Sequence, residues 1–594
     1  MHTVVDDRPV INNYYGVNIH THGSDQPFEA LPTLSTRRKV VATLISVISV
    51  FSLVFIFGMF ALDSPLNTLN PLEILPRTTP ESAPMREFCL YIFGSEEPDV
   101  EQLATLTAMT ITKADYLEDS STFWVIDYSL QNGAQQRVVL ADDSDIDARD
   151  LEAFTGLEEL DFSQATGVHV GYLQGFSLQP LKNLHSFKGN YMVTVTPSLF
   201  YDPANITSLS VPLSESGLAG LSSFTSLATL DISSISEDIT STITLPASLR
   251  SLTTRIASSA DATWLAQASG LEGLENLTLD CSGSDLKDFT WLASLTNLKS
   301  LALQGVSNLR NIDFVRSLPV LESLKVTSSS VTDLSPLNGL GLKSLHWESH
   351  TELKDLSALS TLGALEELTL DGFFDINTFY VGNAANLRRV AVADDLVSRL
   401  AGCPVEQLEV IIWDEFDCSE LSGLTSLKQL DFTVTGGGHV LEVGALSALQ
   451  NLETLTFNSV GFRSNDVSPL FNLPVRELSL VNSENIQLDA DSIGENPNIQ
   501  SLRIENVKYS DISAALGSAC AKLTGLQSLS LAQTQLADVS FAASLPSLQE
   551  LNIRDNYVTS ITPLLAAPEL KVLCCGQNPI ANLSELPSTI SVRY

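Results

Sequence analysis

The sequence predicts a solenoid: many short stacked units that share one curved parallel β-sheet, with turns and short helical segments on the outer side. Two observations carry that prediction. A phrase of one apolar residue, two spacers, an apolar residue, one spacer and a third apolar residue recurs nineteen times between Leu157 and Leu573. Clean copies are Leu298-Lys-Ser-Leu301-Ala-Leu303, Leu365-Glu-Glu-Leu368-Thr-Leu370 and Leu548-Gln-Glu-Leu551-Asn-Ile553. Their starts fall about 23 residues apart, a period at which a single unit cannot bury its own apolar face and must share a core with its neighbours.

Phrase and period together define an α/β leucine-rich repeat solenoid over residues 151–594. Each unit contributes a short strand whose apolar residues alternate inward, while the intervening residues face the concave side. About 23 residues per unit leave little chain for the convex side, so 3₁₀ segments and turns are expected there. After Leu502 the longest interval holds Asp511-Ile-Ser-Ala-Ala-Leu-Gly-Ser-Ala-Cys-Ala-Lys522, which predicts a helix capped by Asp511. Phrases such as Thr332-Asp-Leu-Ser-Pro-Leu337 and Asp355-Leu-Ser-Ala-Leu359 follow the strands and turn the chain back across the array. Asn556 and Asn578 stand just past their strands, where an amide can satisfy backbone groups of the turn. Leu583-Ser-Glu-Leu-Pro-Ser-Thr-Ile590 reads as a truncated closing unit.

Four segments precede the repeats. Residues 1–39 show little periodicity and are expected to be a disordered tail. Val40–Leu62 is a run of twenty-three residues without a charge. At about 1.5 Å per residue it spans a hydrocarbon core of about 30 Å as one helix. A cleaved signal peptide would have a shorter apolar region and a small-x-small site, and Met59-Phe60-Ala61 is a poor one, so the run reads as an uncleaved signal anchor. Arg37, Arg38 and Lys39 lie directly before it and Asp63 directly after, which places the tail in the cytoplasm and the repeats outside. Five prolines between Pro65 and Pro84 predict an extended stalk over 63–85. Residues 86–150 read as an N-terminal cap. They contain strand-like Phe88–Phe93 and a hairpin, Phe123–Tyr128 with Arg137–Leu140, joined around Asn132-Gly133.

Net charge excludes one partner class. With 70 acidic against 32 basic residues the chain carries −38, and no basic stripe is present to hold a phosphate backbone, so nucleic acid is not an expected partner. The seven cysteines are scattered and show no metal spacing. Cys575 takes an inward place in its repeat, and the adjacent Cys574–Cys575 pair reads either as reduced or as a vicinal disulfide. N-x-S/T sites at Asn205, Asn276 and Asn582 are no more than chance supplies.

On the Asp-Leu-Ser-Pro-Leu phrase at 333–337 and Leu-Thr-Asn-Leu at 295–298, residues 150–594 resemble bacterial internalin-like leucine-rich repeat surface proteins. That resemblance implies surface display and binding of proteins or cell-wall components through the concave face. The chain departs from it in having an N-terminal span in place of a C-terminal sorting signal.

Motifs for catalysis are missing: no nucleophile elbow, phosphate loop or zinc helix occurs, so no enzyme activity and no cofactor are expected. His346-Trp-Glu348-Ser-His350 offers two imidazoles and a carboxylate, but a polar strand places such groups together by chance. The same holds for His20 and His22. Asp143-Ser-Asp145-Ile-Asp147 opens like a calcium loop, yet Ala148 and Phe154 replace its glycine and closing glutamate. Charged and aromatic residues concentrate in the middle repeats. His346, Glu348, Glu367, Asp371, Arg389, Glu409, Trp413 and Asp431 are the expected ligand-binding residues on the concave face or its rim. Phe373, Phe374, Phe379, Tyr380 and Phe416 lie in adjoining loops, either exposed around a binding hot spot or packed inside degenerate repeats. The sequence therefore points to a plasma-membrane protein with extracellular repeats for protein recognition or adhesion. The alternative is a non-signalling scaffold that binds cell wall.

Overall fold

A computed structural model describes residues 76–593, apart from 116–121, 132, 134, 170–175, 194, 236–238, 240, 382–383, 435–437, 485 and 508–512. The expected tail, the Val40–Leu62 span, the stalk as far as 75 and the Asp511 cap lie outside the described residues. Among the described residues no helix is long and apolar enough to cross a membrane.

Residues 76–82, within the segment expected to be a stalk, lie against the start of the repeats. Two buried carboxylates explain why. Asp150 accepts from Arg77 (2.5 Å) and from the backbone N–H groups of Glu81 (2.9 Å) and Ser82 (2.8 Å). Glu152 accepts from the N–H groups of Arg77 and Ser177, both at 3.0 Å. A buried carboxylate without donors is costly, and this segment supplies them.

Ala83–Phe93 is a helix, α1, where the apolar run Phe88–Phe93 suggested a strand. A short continuous apolar run does not distinguish the two by period alone. Pro84 in the first turn starts the helix, Met85, Phe88 and Cys89 bury at helical spacing, and Gly94 closes it in the left-handed conformation. The four-residue helix α2 (Val100–Leu103) follows, opened by an Asp99–Gln102 capping box. Strands β1 (Leu106–Asp115), β2 (Thr122–Leu130) and β3 (Gln136–Leu140) pair antiparallel in the order β1–β2–β3. The free side of β1 pairs parallel with Glu159–Asp161, the first repeat strand. The hairpin thus covers the sheet edge and the apolar end that the first repeat would otherwise expose.

From there the repeat strands add in sequence order, all parallel, as far as Ser591–Arg593, and with the three cap strands they make a 23-stranded sheet. Register is uniform: inward leucine pairs with inward leucine, as in Leu277↔Leu301 and Leu301↔Leu324. One apolar core runs from Met85 to Ile590. The opposite side is mostly 3₁₀ turns, with α-helices at Glu215–Gly220, Ser259–Gln267 and Ser513–Cys520. The recurrent Asp-x-Ser/Thr phrase starts these turns. Asp333, Asp355 and Asp538 each accept the N–H of the serine two residues on, at 2.8, 2.8 and 2.9 Å. Cys575 is buried at its inward position, Cys574 faces the open side, and both thiols are free.

Two devices hold successive repeats in register. The first occupies the position directly after the phrase's opening apolar residue. Through the middle of the array that position reads Arg250, Glu275, Lys299, Glu322, Lys343, Glu366, Arg388, Glu406, Lys428, Glu453 and Arg476, strictly alternating in sign. Neighbours meet as ion pairs: Lys299–Glu275 (2.7 Å), Lys343–Glu322 (3.0 Å), Lys428–Glu406 (2.7 Å) and Arg388–Glu406 (3.5 Å). Beyond Arg476 the position changes to Gln500, Gln527 and Gln549. There the second device takes over. The buried Asn556 amide donates to the carbonyls of Leu531 (2.7 Å) and Ile553 (2.9 Å) and accepts from the N–H groups of Thr534 (3.0 Å) and Leu536 (2.9 Å). Asn578 repeats the pattern one unit later, donating to Ile553 (2.6 Å) and accepting from Val558 (3.0 Å).

Candidate binding surface

Register sorts the expected site residues into columns on the open face. Glu367 and Arg389 are directly paired on adjacent strands, and the Arg389 guanidinium is bonded to the Glu367 carboxylate. His346, Thr369, Ala391, Glu409 and Asp431 form a second column, two residues further along each strand. Glu348 and Asp371 form a third. Glu367, Arg389, Glu409 and Asp431 line one shallow hollow of about 270 Å³. Its charges are largely engaged within the array: Ser344 donates to Glu367 (3.1 Å), Thr433 to Glu409 (3.1 Å) and Gln429 to Asp431 (2.7 Å).

His346 is half-buried, and that burial, reinforced by Lys325, pushes its pKa below the ordinary value. Glu348 lies 3.9 Å from His350 and accepts from Ser328 (3.1 Å). Among the described residues no group of three or more His, Cys, Asp or Glu side chains is placed to hold a metal. The calcium-like run is absorbed into the cap, where Asp145 bonds His169 (3.0 Å) and Asp147 caps a 3₁₀ turn. Burial and the nearby Glu348 charge push the Asp371 carboxyl up.

The remaining expected residue, Trp413, belongs to a different and larger feature. Here the sheet runs beyond its usual end: Ser344–Leu353 and Glu367–Phe374, ten and eight residues long, exceed the other strands of the array. Gly372 makes the exit possible, with φ +127° and a Cβ position only 2.2 Å from the Ser349 carbonyl oxygen, so any side chain there would collide with the previous repeat. Directly after it Phe373 projects outward, 60% exposed. Trp413, two strands along, is 45% exposed, and the two rings meet at a centroid distance of 6.2 Å and an angle of 34°. Phe379 and Phe416 are instead buried in the core, while Tyr380 is exposed.

Phe373, Asp395 and Trp413 hold the same place, three residues beyond the second inward position, in three consecutive repeats. Asp395, in the 3₁₀ turn Asp394–Leu400 that follows the intervening strand, lines the same hollow as the two rings. With Glu352, Asp394 and Ala393 they surround a volume of about 590 Å³. Asp394 accepts the Trp413 backbone N–H at 3.1 Å. Burial, with the adjacent Asp394 charge, pushes the Asp395 carboxyl up. Sequence reading named the rings but not Asp394, Asp395 or Glu352. Counting positions past each strand would have found Asp395.

A model of leucine-rich repeats in two copies matches residues 524–566 and 546–588. Residues 524–588 therefore carry leucine-rich repeats, and the strands before them continue in the same parallel register. Leucine-rich repeat proteins generally work by recognising other proteins. A candidate adenylate cyclase regulatory protein of Trypanosoma equiperdum is 28% identical over 173 residues; the match spans 28% of this chain and 27% of that relative's length. Among solved structures, an internalin of Listeria monocytogenes is similar at 24% identity, covering 53% of this chain and 83% of its own, with a TM-score of 0.35. A leucine-rich repeat protein of Leptospira interrogans is similar at 16% identity over 73% of this chain and 96% of its own, TM-score 0.35. The ectodomain of a receptor kinase from Arabidopsis thaliana is similar at 17% identity over 73% and 60%, TM-score 0.34. The stretch matched to the leucine-rich repeat model, 524–588, is the stretch that carries Asn556 and Asn578.

Proposed function

We propose that this chain is a single-pass membrane protein with a cytoplasmic N-terminus, whose leucine-rich repeats face outward and recognise a protein or cell-surface partner. It works by binding rather than catalysis. Anchor and orientation rest on the charge-free run Val40–Leu62 and the Arg37-Arg38-Lys39 cluster before it. The observation that supports recognition is the exposed Phe373–Trp413 pair on a raised ledge of the sheet, ringed by carboxylates. Soluble proteins rarely leave two large aromatic rings side by side in water unless a partner covers them. Protease shaving of intact cells, blotted for both the tail and the repeats, tests the proposal. Loss of the repeats with a membrane-retained tail fragment is the expected result. Repeats protected until lysis would reverse the topology and leave an intracellular scaffold.

A further inference from the structure

We propose that the hollow lined by Phe373 and Trp413 takes the arginine side chain of a basic segment on a protein partner. This rests on the recognition reading above and names the chemistry of what is recognised. Three independent features agree on a cation. The rings are tilted at 34° with centroids 6.2 Å apart, and both present exposed surface to the hollow. Aromatic faces attract a cation held within about 6 Å, and a planar guanidinium also stacks on them.

The rim is acidic and unneutralised. Glu352, Asp394 and Asp395 line the hollow, and none of the three is ion-paired with a Lys, Arg or His among the described residues. Glu275, Glu322 and Glu406 each meet a basic side chain of a neighbouring repeat, and among the described residues the three rim acids do not. Two adjacent carboxylates are matched by the forked donors of one guanidinium, which a neutral or acidic partner does not supply. Asp394 and Asp395 line the same hollow as the rings, so a cation stacked against an exposed ring face would meet their charge.

The third feature is the field of the whole chain. Its net charge of −38 draws basic partners toward the surface and repels acidic ones. A hollow of about 590 Å³ admits a whole arginine side chain with its flanking backbone.

The test uses the full chain in nonionic detergent and three fluorescein-labelled peptides of one length: Gly-Ser-Arg-Arg-Gly-Ser, the same with lysine, and the same with citrulline, which keeps arginine's shape without its charge. Fluorescence anisotropy in about 0.1 M salt is expected to show the arginine peptide binding at least tenfold tighter than the citrulline peptide, with lysine between them. Trp413→Ala, and separately Asp394→Asn with Asp395→Asn, should each weaken the arginine peptide at least tenfold. Tyr557→Ala, which removes an exposed ring far along the chain, should leave it unchanged. Equal binding of arginine and citrulline peptides would overturn the proposal. So would unchanged affinity in Trp413→Ala and in the Asp394/Asp395 variant when both melt like the parent chain. The cell-shaving result is independent: failed peptide binding with repeats exposed removes this site alone, whereas repeats protected until lysis remove the surface reading.

Discussion

The middle repeats and the last ones solve the same problem with opposite chemistry. From Arg250 to Arg476 neighbouring units carry charges of alternating sign, and these meet as surface ion pairs at five junctions among the described residues. From Leu531 to Asn582 they are joined by amides that fill backbone donors and acceptors. A buried amide fixes the shape of the turn around it, and the stretch matched to the leucine-rich repeat model, 524–588, is where Asn556 does this. An exposed ion pair fixes only register. The turns and strand ends beyond it are free to vary, and the lengthened strands, Gly372 and the aromatic ledge all occur in the ion-paired stretch.

That contrast can be broken in four ways, in falling order of effect. Asn556→Ala should be the most damaging, about 3 kcal/mol, because it strands several buried N–H and carbonyl groups at once. Urea denaturation should show the loss undiminished in 1 M salt. Lys299→Glu places three acids in succession between Arg250 and Lys343. Its thermal destabilisation should be smaller than that of Asn556→Ala and should shrink in 1 M salt, since both partners of each pair are near half-exposed.

A weaker effect should follow pH. Glu275 and Glu406 have carboxyls held low by the bonds from Lys299 and Lys428, and those lysines are held high in return. A lowered carboxyl adds stability above its unfolded value, and this is lost as pH falls below 4.5. A raised ammonium adds stability that is lost as pH climbs past 10.5. Melting temperature should therefore hold between these limits and fall at both ends, and Lys299→Gln should flatten both slopes. Asp371 and Asp395 run in the other sense: their raised carboxyls disfavour the folded state as they ionise, which a bound cation would relieve. Smallest of all, Gln527→Lys should change stability by no more than about 0.5 kcal/mol, because its neighbours Gln500 and Gln549 carry no charge.

Much of the fold was legible because the inward leucines repeat at one spacing, and the Asp-Leu-Ser phrase is a turn with a visible mechanism. The α1 helix was not, since Phe88-Cys-Leu-Tyr-Ile-Phe93 is apolar throughout and only Pro84 and Gly94 mark its ends. Nor was the docking of residues 76–82, which depends on Asp150 and Glu152 lying about seventy residues away in sequence. The candidate site was half legible. Phe373 and Trp413 stand out by residue type, but Phe379 and Phe416 look alike and are buried, so exposure could not be read from composition. Asp395 and the charge ladder were written in the sequence too, yet only strand register shows which positions are neighbours.

The central claim, that partners meet the middle repeats and not the last ones, has one direct measurement. A photo-activatable residue is placed at Thr369, on the strand that leads to Phe373, or at Ser530 on the same face of the last repeats, and intact cells expressing the full chain are irradiated. Thr369 should yield a crosslinked species of defined mass that disappears in Trp413→Ala, and Ser530 should yield none. Adducts from Ser530 with none from Thr369 would contradict the account.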